Sequence, residues 1–293
     1  MLVESFLEYL KSERNYSSAT IVSYATDLLQ FEAFFESLKE DITWETVSSS
    51  VIREWEICLL DEGKMTSTSV NRKLSALRSF YRYLAKMGKV EANPTLKVVG
   101  PKNKKRLPVF VKEKNMDKLL ELMKEDVGFL GMRNRLVIQM LYLTGMRRAE
   151  MLGLTDESVD FVQKQIKVTG KRNKQRLIPF GEELEISMRE YIKEREETFP
   201  YCGKFFVSKS GGPMTEADLS KVVRTSLARV TTQKKRSPHV LRHAFATAML
   251  NGDADLLAIQ KLLGHESLKT TEIYTHLSFE ELKDVYKSAH PRS

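Results

Sequence analysis

From Lys89 to Val111 the chain reads KVEANPTLKVVGPKNKKRLPVFV. It carries three prolines, one glycine and no helical period, so no helix can run through it. Five lysines make the same stretch strongly basic. The reading is a basic linker over residues 91–108, extended around its prolines. It separates a first domain, residues 1–90, from a second, residues 109–293. The full length of 293 residues suits two domains of ordinary size.

The first domain reads as four helices. FLEYLKSER is short and amphipathic. SSATIVSYATDLLQFEAFFESL sets Ile21, Tyr24, Leu28, Phe31 and Phe35 at helical spacing after a Ser-rich start. A third helix covers about Val51 to Leu60. In the fourth, TSTSVNRKLSALRSFYRYLAKMG, one face holds Val70, Leu74, Leu77, Tyr81 and Leu84. The opposite face holds Arg72, Ser75, Arg78, Ser79, Arg82 and Lys86. One side is expected to pack on a helical bundle while the other tracks phosphates. Gly88 should end this helix.

Charge supports that division of labour. Residues 1–63 hold four Lys and Arg against 13 Asp and Glu, a net of −9. Residues 64–106 hold 12 Lys and Arg against Glu91 alone, a net of +11. So abrupt a reversal suggests one surface made basic for a polyanion, with nucleic acid the first to consider. No apolar run approaches the roughly 20 residues of a membrane span. The acidic start, without a basic leader, reads as no signal peptide. Cys58 and Cys202 stand far apart and outside any metal-binding spacing, which fits reduced thiols in the cytoplasm. No partner membrane is expected.

The second domain is mixed. KNMDKLLELM, GMRNRLVIQMLYLTGM and EELEISMREYIKEREE read as helices. QIKVTG and QRLIPF alternate as strands around a KRNK turn. FFVSKSGGPMT reads as a strand and turn. The remainder reads as helices broken at Pro238, Gly252, Gly264 and Ser278. The last opens on SFEE, a capping box of Ser278 and Glu281.

Four places in this domain suggest chemistry. LYLTGMRRAEMLGL ends an apolar helix at Gly145 and presents Arg147, with Glu150 three residues on to orient it. VTGKRNKQRLIPF puts Lys171 at a hairpin tip. SPHVLRHAFAT places His239 and Arg242 on one face of a helix whose apolar run suggests burial, and a buried arginine calls for an anion. GHESLKTTEIYTHL sets two of the chain's five histidines, His265 and His276, around Tyr274 in a helix with little to pack. Tyr274 is then either a half-buried core aromatic or a reactive group. No carboxylate cluster suited to a metal accompanies these residues. Two guanidiniums for non-bridging oxygens, a hydroxyl nucleophile and proton donors are what metal-free phosphoryl transfer on DNA requires.

The motifs SVNRKLSALRSFYRYL, ANP, TGMRRAEMLGL, GKRNKQRLIP, HVLRHAFAT, LLGHESLKTTEIYTH and VYKSAHPR occur in this order along nearly the whole chain. In text and order they resemble the tyrosine recombinases (the phage integrase family), and within them the Xer type. The resemblance implies a mainly α fold with a small β-sheet. It implies a helical, SAM-like core-binding domain followed by an α+β catalytic domain. It assigns Arg147, Lys171, His239, Arg242, His265 and Tyr274 to catalysis, with Glu150 supporting Arg147. Tyr274 is the nucleophile, forming a 3′-phosphotyrosyl bond, and Lys171 protonates the leaving 5′ oxygen. Arg172 stands where many relatives have glycine, so the turn type is open, and Lys174 is the alternative acid if the register shifts. His276 reads as a surface or packing residue.

The expected activity is site-specific recombination that needs no metal, ATP or other cofactor. The partners are duplex DNA with paired half-sites and a homo- or hetero-tetramer with a related recombinase. Arg72, Arg78, Arg82 and Lys86 are the expected DNA-binding residues of the first domain. The plain length favours resolution of chromosome dimers at cell division. An integrase or invertase of a mobile element shares the same residues. A catalytically silent DNA-binding regulator and a type I topoisomerase are the readings from other classes. In the closing helix, Leu282, Val285 and Tyr286 form a narrow apolar stripe, and the expectation is docking on a neighbouring protomer.

Overall fold

The computed structural model describes residues 1–38, 41–61, 63–103, 111–170, 173–200, 202–264 and 278–292. The chain divides into two compact units, Met1–Leu107 and Pro108–Ser293.

The N-terminal unit is built on α1 (Leu2–Ser12), α2 (Ser18–Ser37), α3 (Ser49–Asp61) and α4 (Ser67–Lys86). Polar caps fix two of the starts. Ser17 Oγ accepts from the Thr20 amide and Thr66 Oγ1 from that of Ser69, each at 3.3 Å. The apolar face of α4 is buried as its spacing requires: Val70, Leu74, Leu77, Tyr81 and Leu84. The core is unusually aromatic. Phe31 lies 4.9 Å from Trp55 and Trp44 lies 4.7 Å from Phe80, ring centre to ring centre. The polar edges of these rings are satisfied, with Trp44 Nε1 donating to Glu32 and the Tyr81 hydroxyl to the Trp44 carbonyl.

The stretch read as an extended linker departs from that expectation over residues 94–101. Pro94–Lys97 form a 3₁₀ turn with proline at its start, capped by Asn93. Thr95 and Val98 are buried. Side chains of the helices hold the backbone: Arg53 to the Lys97 carbonyl, Arg78 to that of Val98 and Asn71 to that of Pro101. Gly100 permits the close approach, since a Cβ there would stand 2.1 Å from Asn71 Oδ1. Residues 104–110 lie outside the described residues.

The C-terminal unit is mostly helical with one small sheet. Its elements are α5 (Glu113–Leu122), α6 (Gly128–Thr144), α7 (Arg148–Gly153), β1 (Val159–Asp160), β2 (Gln165–Thr169) and β3 (Gln175–Pro179). There follow α8 (Glu182–Thr198), α9 (Glu216–Ala228), α10 (Pro238–Asn251), α11 (Leu256–Leu263) and α12 (Phe279–Ala289). From Leu136 to Thr144, α6 is buried on every side, as a helix apolar all round must be. It packs against α8, α9 and α10. The strands are antiparallel in the order β1-β2-β3, with Ile166 opposite Ile178 and Val168 opposite Arg176.

The strand expected in FFVSKSGGPMT is reduced to a single bridge, Val207 to Pro213. Phe205, Phe206 and Val207 are all buried, without the alternation of a half-exposed strand. The Phe205 amide and the Phe206 carbonyl bond to backbone at Leu154 and Met214, and side chains take other groups. Arg195 and the Tyr191 hydroxyl donate to the Phe205 carbonyl, and Arg133 donates to that of Val207.

The closing helix also departs from expectation. Ser278 and Glu281 form the capping box at its start. The helix then packs on its own chain: Leu282, Tyr286 and Ala289 are buried with Phe245 and Met249 of α10 and Ile259 and Leu262 of α11. His290 follows them inward and stacks on Phe245 and Tyr286. Burial pushes its imidazole down to about 4. Arg292 then binds Asp117 and Glu183. Among the described residues, no helix is long and apolar enough to cross a membrane.

Candidate active site

Two helices of the C-terminal unit end on glycines in the left-handed conformation, Gly145 (φ +60°) after α6 and Gly264 (φ +65°) after α11. Gly145 has a second reason to be glycine, because a Cβ there would lie 2.4 Å from Phe245 and 2.8 Å from Leu263. The turn at Gly145 delivers Arg147 to the start of α7. There Glu150 reaches back, its Oε2 accepting from the Arg147 amide at 2.6 Å and its Oε1 from Arg147 Nη1 at 2.8 Å. The expected orientation of Arg147 by Glu150 is thus present in the geometry.

A third residue completes the pair. Arg176 of β3 grips both oxygens of Glu150, Nη1 to Oε1 at 2.6 Å and Nη2 to Oε2 at 2.9 Å. The Glu150 side chain is 2 % exposed. Burial alone would raise its pKa. The hydrogen bonds from Arg176 and from the Arg147 backbone and side chain outweigh burial and hold the carboxyl down to about 2. Gly170 leaves room for the carboxylate, as a Cβ there would be 3.2 Å from Oε1.

Arg242 lies one turn into α10 and is buried, as the apolar character of that helix implied. Its hydrogen-bond acceptors are not anionic. Nη1 donates to the Gly145 carbonyl and Nη2 to that of Leu263, both at 2.6 Å. Burial first, and then the nearby Arg147 and Arg176, push its guanidinium down to about 10, with Glu150 opposing. It remains charged at neutral pH.

The three arginines meet at one place. Arg176 Nε donates to the carbonyl of Leu262 (2.8 Å), Arg242 to that of Leu263 and Arg147 Nη2 to that of Gly264 (2.7 Å). Leu262 and Leu263 carry the last carbonyls of α11, which have no partner within their own helix, and Gly264 is its cap. The negative end of a helix favours cations. Three guanidiniums and one carboxylate leave two positive charges in excess among the described residues of the cluster. Such a cluster is suited to binding a phosphodiester and to stabilising the added charge of its transition state.

His239 stands in the first turn of α10, three residues before Arg242, and is exposed. Lys171, His265, Tyr274 and His276 lie outside the described residues. On either side of residues 171 and 172, Thr169 lies opposite Gln175 and the Gly170 amide donates to the Lys174 carbonyl at 2.7 Å. Among the described residues of this turn, Asn173 has a positive φ (+58°), a residue type that tolerates it. Arg176 was not among the residues singled out from sequence. Its signal is an arginine two residues before Ile178, on the same face of β3 as that core residue.

In the N-terminal unit the four expected DNA-binding residues are not equivalent. Arg72 is bound to buried Asp27 and to Ser23. Arg78 donates to the Val98 carbonyl. Arg82 is exposed, and exposed Lys86 lies over the ring of Tyr9.

Residues 109–281 match the phage integrase family, and residues 3–88 match the phage integrase N-terminal SAM-like domain. The chain belongs to the phage integrase family: it is a site-specific tyrosine recombinase. It is 38% identical over 298 residues to tyrosine recombinase XerC of Halalkalibacterium halodurans, covering 99% of this chain and 97% of the relative. It is 37% identical over 315 residues to tyrosine recombinase XerC of Chlorobaculum tepidum, covering 98% and 94%. Among solved structures it is similar to XerH site-specific recombinase bound to palindromic difH substrate in a post-cleavage complex. That likeness has a TM-score of 0.74 and 27% identity, covering 96% of this chain and 83% of the other.

Proposed function

We propose that the chain cuts and rejoins duplex DNA at paired half-sites, with Tyr274 attacking the scissile phosphate to form a 3′-phosphotyrosyl intermediate. Arg147 and Arg242 bind the non-bridging oxygens. Lys171, or Lys174 beside it in the hairpin, protonates the leaving 5′ oxygen. His239 and His265 bond the phosphate and move protons. Glu150 holds Arg147 in place. The phosphotyrosyl bond conserves the energy of the broken phosphodiester, so rejoining needs neither ATP nor metal. The reaction proceeds in a tetramer, alone or with a related recombinase, in the cytoplasm. The XerC relatives support chromosome-dimer resolution at division as its setting.

The observation that carries this reading is the convergence of Arg147 and Arg242 beside a single carboxylate, with positive charge in excess. Tyr274→Phe tests it. A suicide substrate nicked beside the cleavage site should trap the wild-type protein as a detergent-stable DNA adduct. Tyr274→Phe should bind the same DNA and give no adduct, since only the hydroxyl can attack phosphorus. An adduct in the variant would remove Tyr274 from the role.

A further inference from the structure

Arg176 uses all three of its guanidinium nitrogens as donors. Nη1 and Nη2 take the two oxygens of Glu150, and Nε takes the carbonyl of Leu262. Its side chain is 15 % exposed. It therefore joins three elements: β3 on which it sits, the start of α7 through Glu150, and the end of α11. Each oxygen of Glu150 accepts one bond from Arg147 and one from Arg176. Without Arg176 the carboxylate would keep Arg147 as its hydrogen-bond donor among the described residues. It could follow Arg147 to a new position, and the Leu262 carbonyl would lose its donor.

We infer that Arg176 is a positioning residue for strand cleavage. It pins Glu150 and the end of α11, and through them it aims Arg147, whose Nη1 and Nη2 rest on those same two supports. A planar fork holds both carboxylate oxygens and the carbonyl at once, where an ammonium supplies only a point charge. The inference rests on the proposed role of Arg147 at the scissile phosphate.

The test uses the full-length protein and a nicked half-site suicide substrate at saturating protein, with adduct formation followed in a single turnover across pH. Arg176→Met and Arg176→Lys are compared with Arg195→Met. Arg195 is also buried, and it binds Asp156 and the Phe205 carbonyl away from the cluster. A positioning error near 1 Å corresponds to about 10²-fold in rate. Arg176→Met should slow adduct formation by about that factor, with half-site affinity within about threefold. The acid limb of its rate should move to higher pH, because Glu150 then faces Arg147, with Arg242 near it, but not Arg176. Arg176→Lys should recover part of the rate. Arg195→Met should lower the melting temperature and leave the rate and its acid limb in place at temperatures where it is folded.

An unchanged rate in Arg176→Met would overturn the inference. So would an acid limb that stays in place, or a loss of adduct accounted for by affinity or melting. If Arg176→Met does not fold, Arg176→Lys decides: a slower rate with a shifted acid limb supports positioning, and wild-type kinetics overturns it. Failure of the wild-type protein to form an adduct would count against the functional reading, and it is seen separately from any effect of Arg176.

Discussion

Asp27 in the N-terminal unit and Glu150 in the C-terminal unit are both buried carboxylates held by two basic side chains. Asp27 of α2 receives Arg72 and Lys73 of α4. Glu150 receives Arg147 and Arg176. Around Asp27 the next polar groups are neutral. Ser23 accepts from Arg72, and Gln30 from Lys73. Around Glu150 the next group is another guanidinium, Arg242, whose own acceptors are peptide carbonyls. The first arrangement is a tether between two helices. The first cluster has one positive charge in excess and the second, among the described residues, has two; burial first, and then Arg147 and Arg176, depress the pKa of Arg242. A buried carboxylate therefore does not by itself identify an active site. What sets the Glu150 cluster apart is the further guanidinium of Arg242, whose acceptors are peptide carbonyls.

Removing one member from each cluster should separate them most clearly. Arg242→Ala should slow cleavage by about 10³-fold, the loss typical of a preorganised donor to a transition-state oxygen. Asp27→Asn should leave the cleavage rate of bound DNA unchanged but destabilise the protein by about 3 kcal/mol, because Lys73 is then buried without its anion. Single-turnover cleavage and chemical denaturation measure the two effects. A slow Asp27→Asn on saturated DNA would break the comparison.

Acid titration gives a second, intermediate effect. The folded pKa of Glu150 is held down to about 2, below its ordinary value of 4.5. The stability this contributes is complete above pH 4.5 and is lost as pH falls from there toward 2. By linkage it amounts to about 3 kcal/mol. Glu150→Gln should remove that component of acid sensitivity in melting curves taken from pH 6 to pH 3. An identical acid profile in the variant would mean that the carboxylate is not held as its hydrogen bonds indicate.

The smallest effect concerns α4. Arg82 is exposed, so Arg82→Ala should lower the salt slope of DNA binding by roughly 0.9 if it contacts phosphate, with little change in stability. Arg72→Ala should cost stability as well, since it also strips Asp27 of a partner. A salt slope unchanged in Arg82→Ala would leave that residue on a merely solvated face.

Much of this was legible in the chain. Helices were readable because their apolar residues recur at helical spacing, as Val70, Leu74, Leu77, Tyr81 and Leu84 do on α4. Arg147, Glu150 and Arg242, which the structure brings together, could be singled out because their motifs are local. What escaped was set by partners distant in sequence. Arg176 looks like one more basic residue in a basic hairpin until Glu150 lies beside it. Arg72 looks free until Asp27 is seen beneath it. The strand expected at Phe205–Val207 is cut to one bridge, and side chains from α6 and α8 take the Phe205 carbonyl and both backbone groups of Val207. The closing helix was judged by Leu282, Val285 and Tyr286. Its anchorage also depends on Ala289 and His290, a small residue and a titratable one that do not read as apolar.

The three clustered arginines draw three of their acceptors from the peptide backbone at Leu262, Leu263 and Gly264. Every residue type carries such a carbonyl, so these contacts are insulated from the identity of the side chain that bears them. Mutation cannot delete the acceptor. It can only displace it, by repacking Leu262 or Leu263 or by forcing a Cβ at Gly264 against the Arg176 guanidinium, 3.2 Å away. Tolerance in this part of the chain is then governed by shape. Substitutions that keep the end of α11 in place should pass unnoticed, and those that shift it should disturb all three arginines at once.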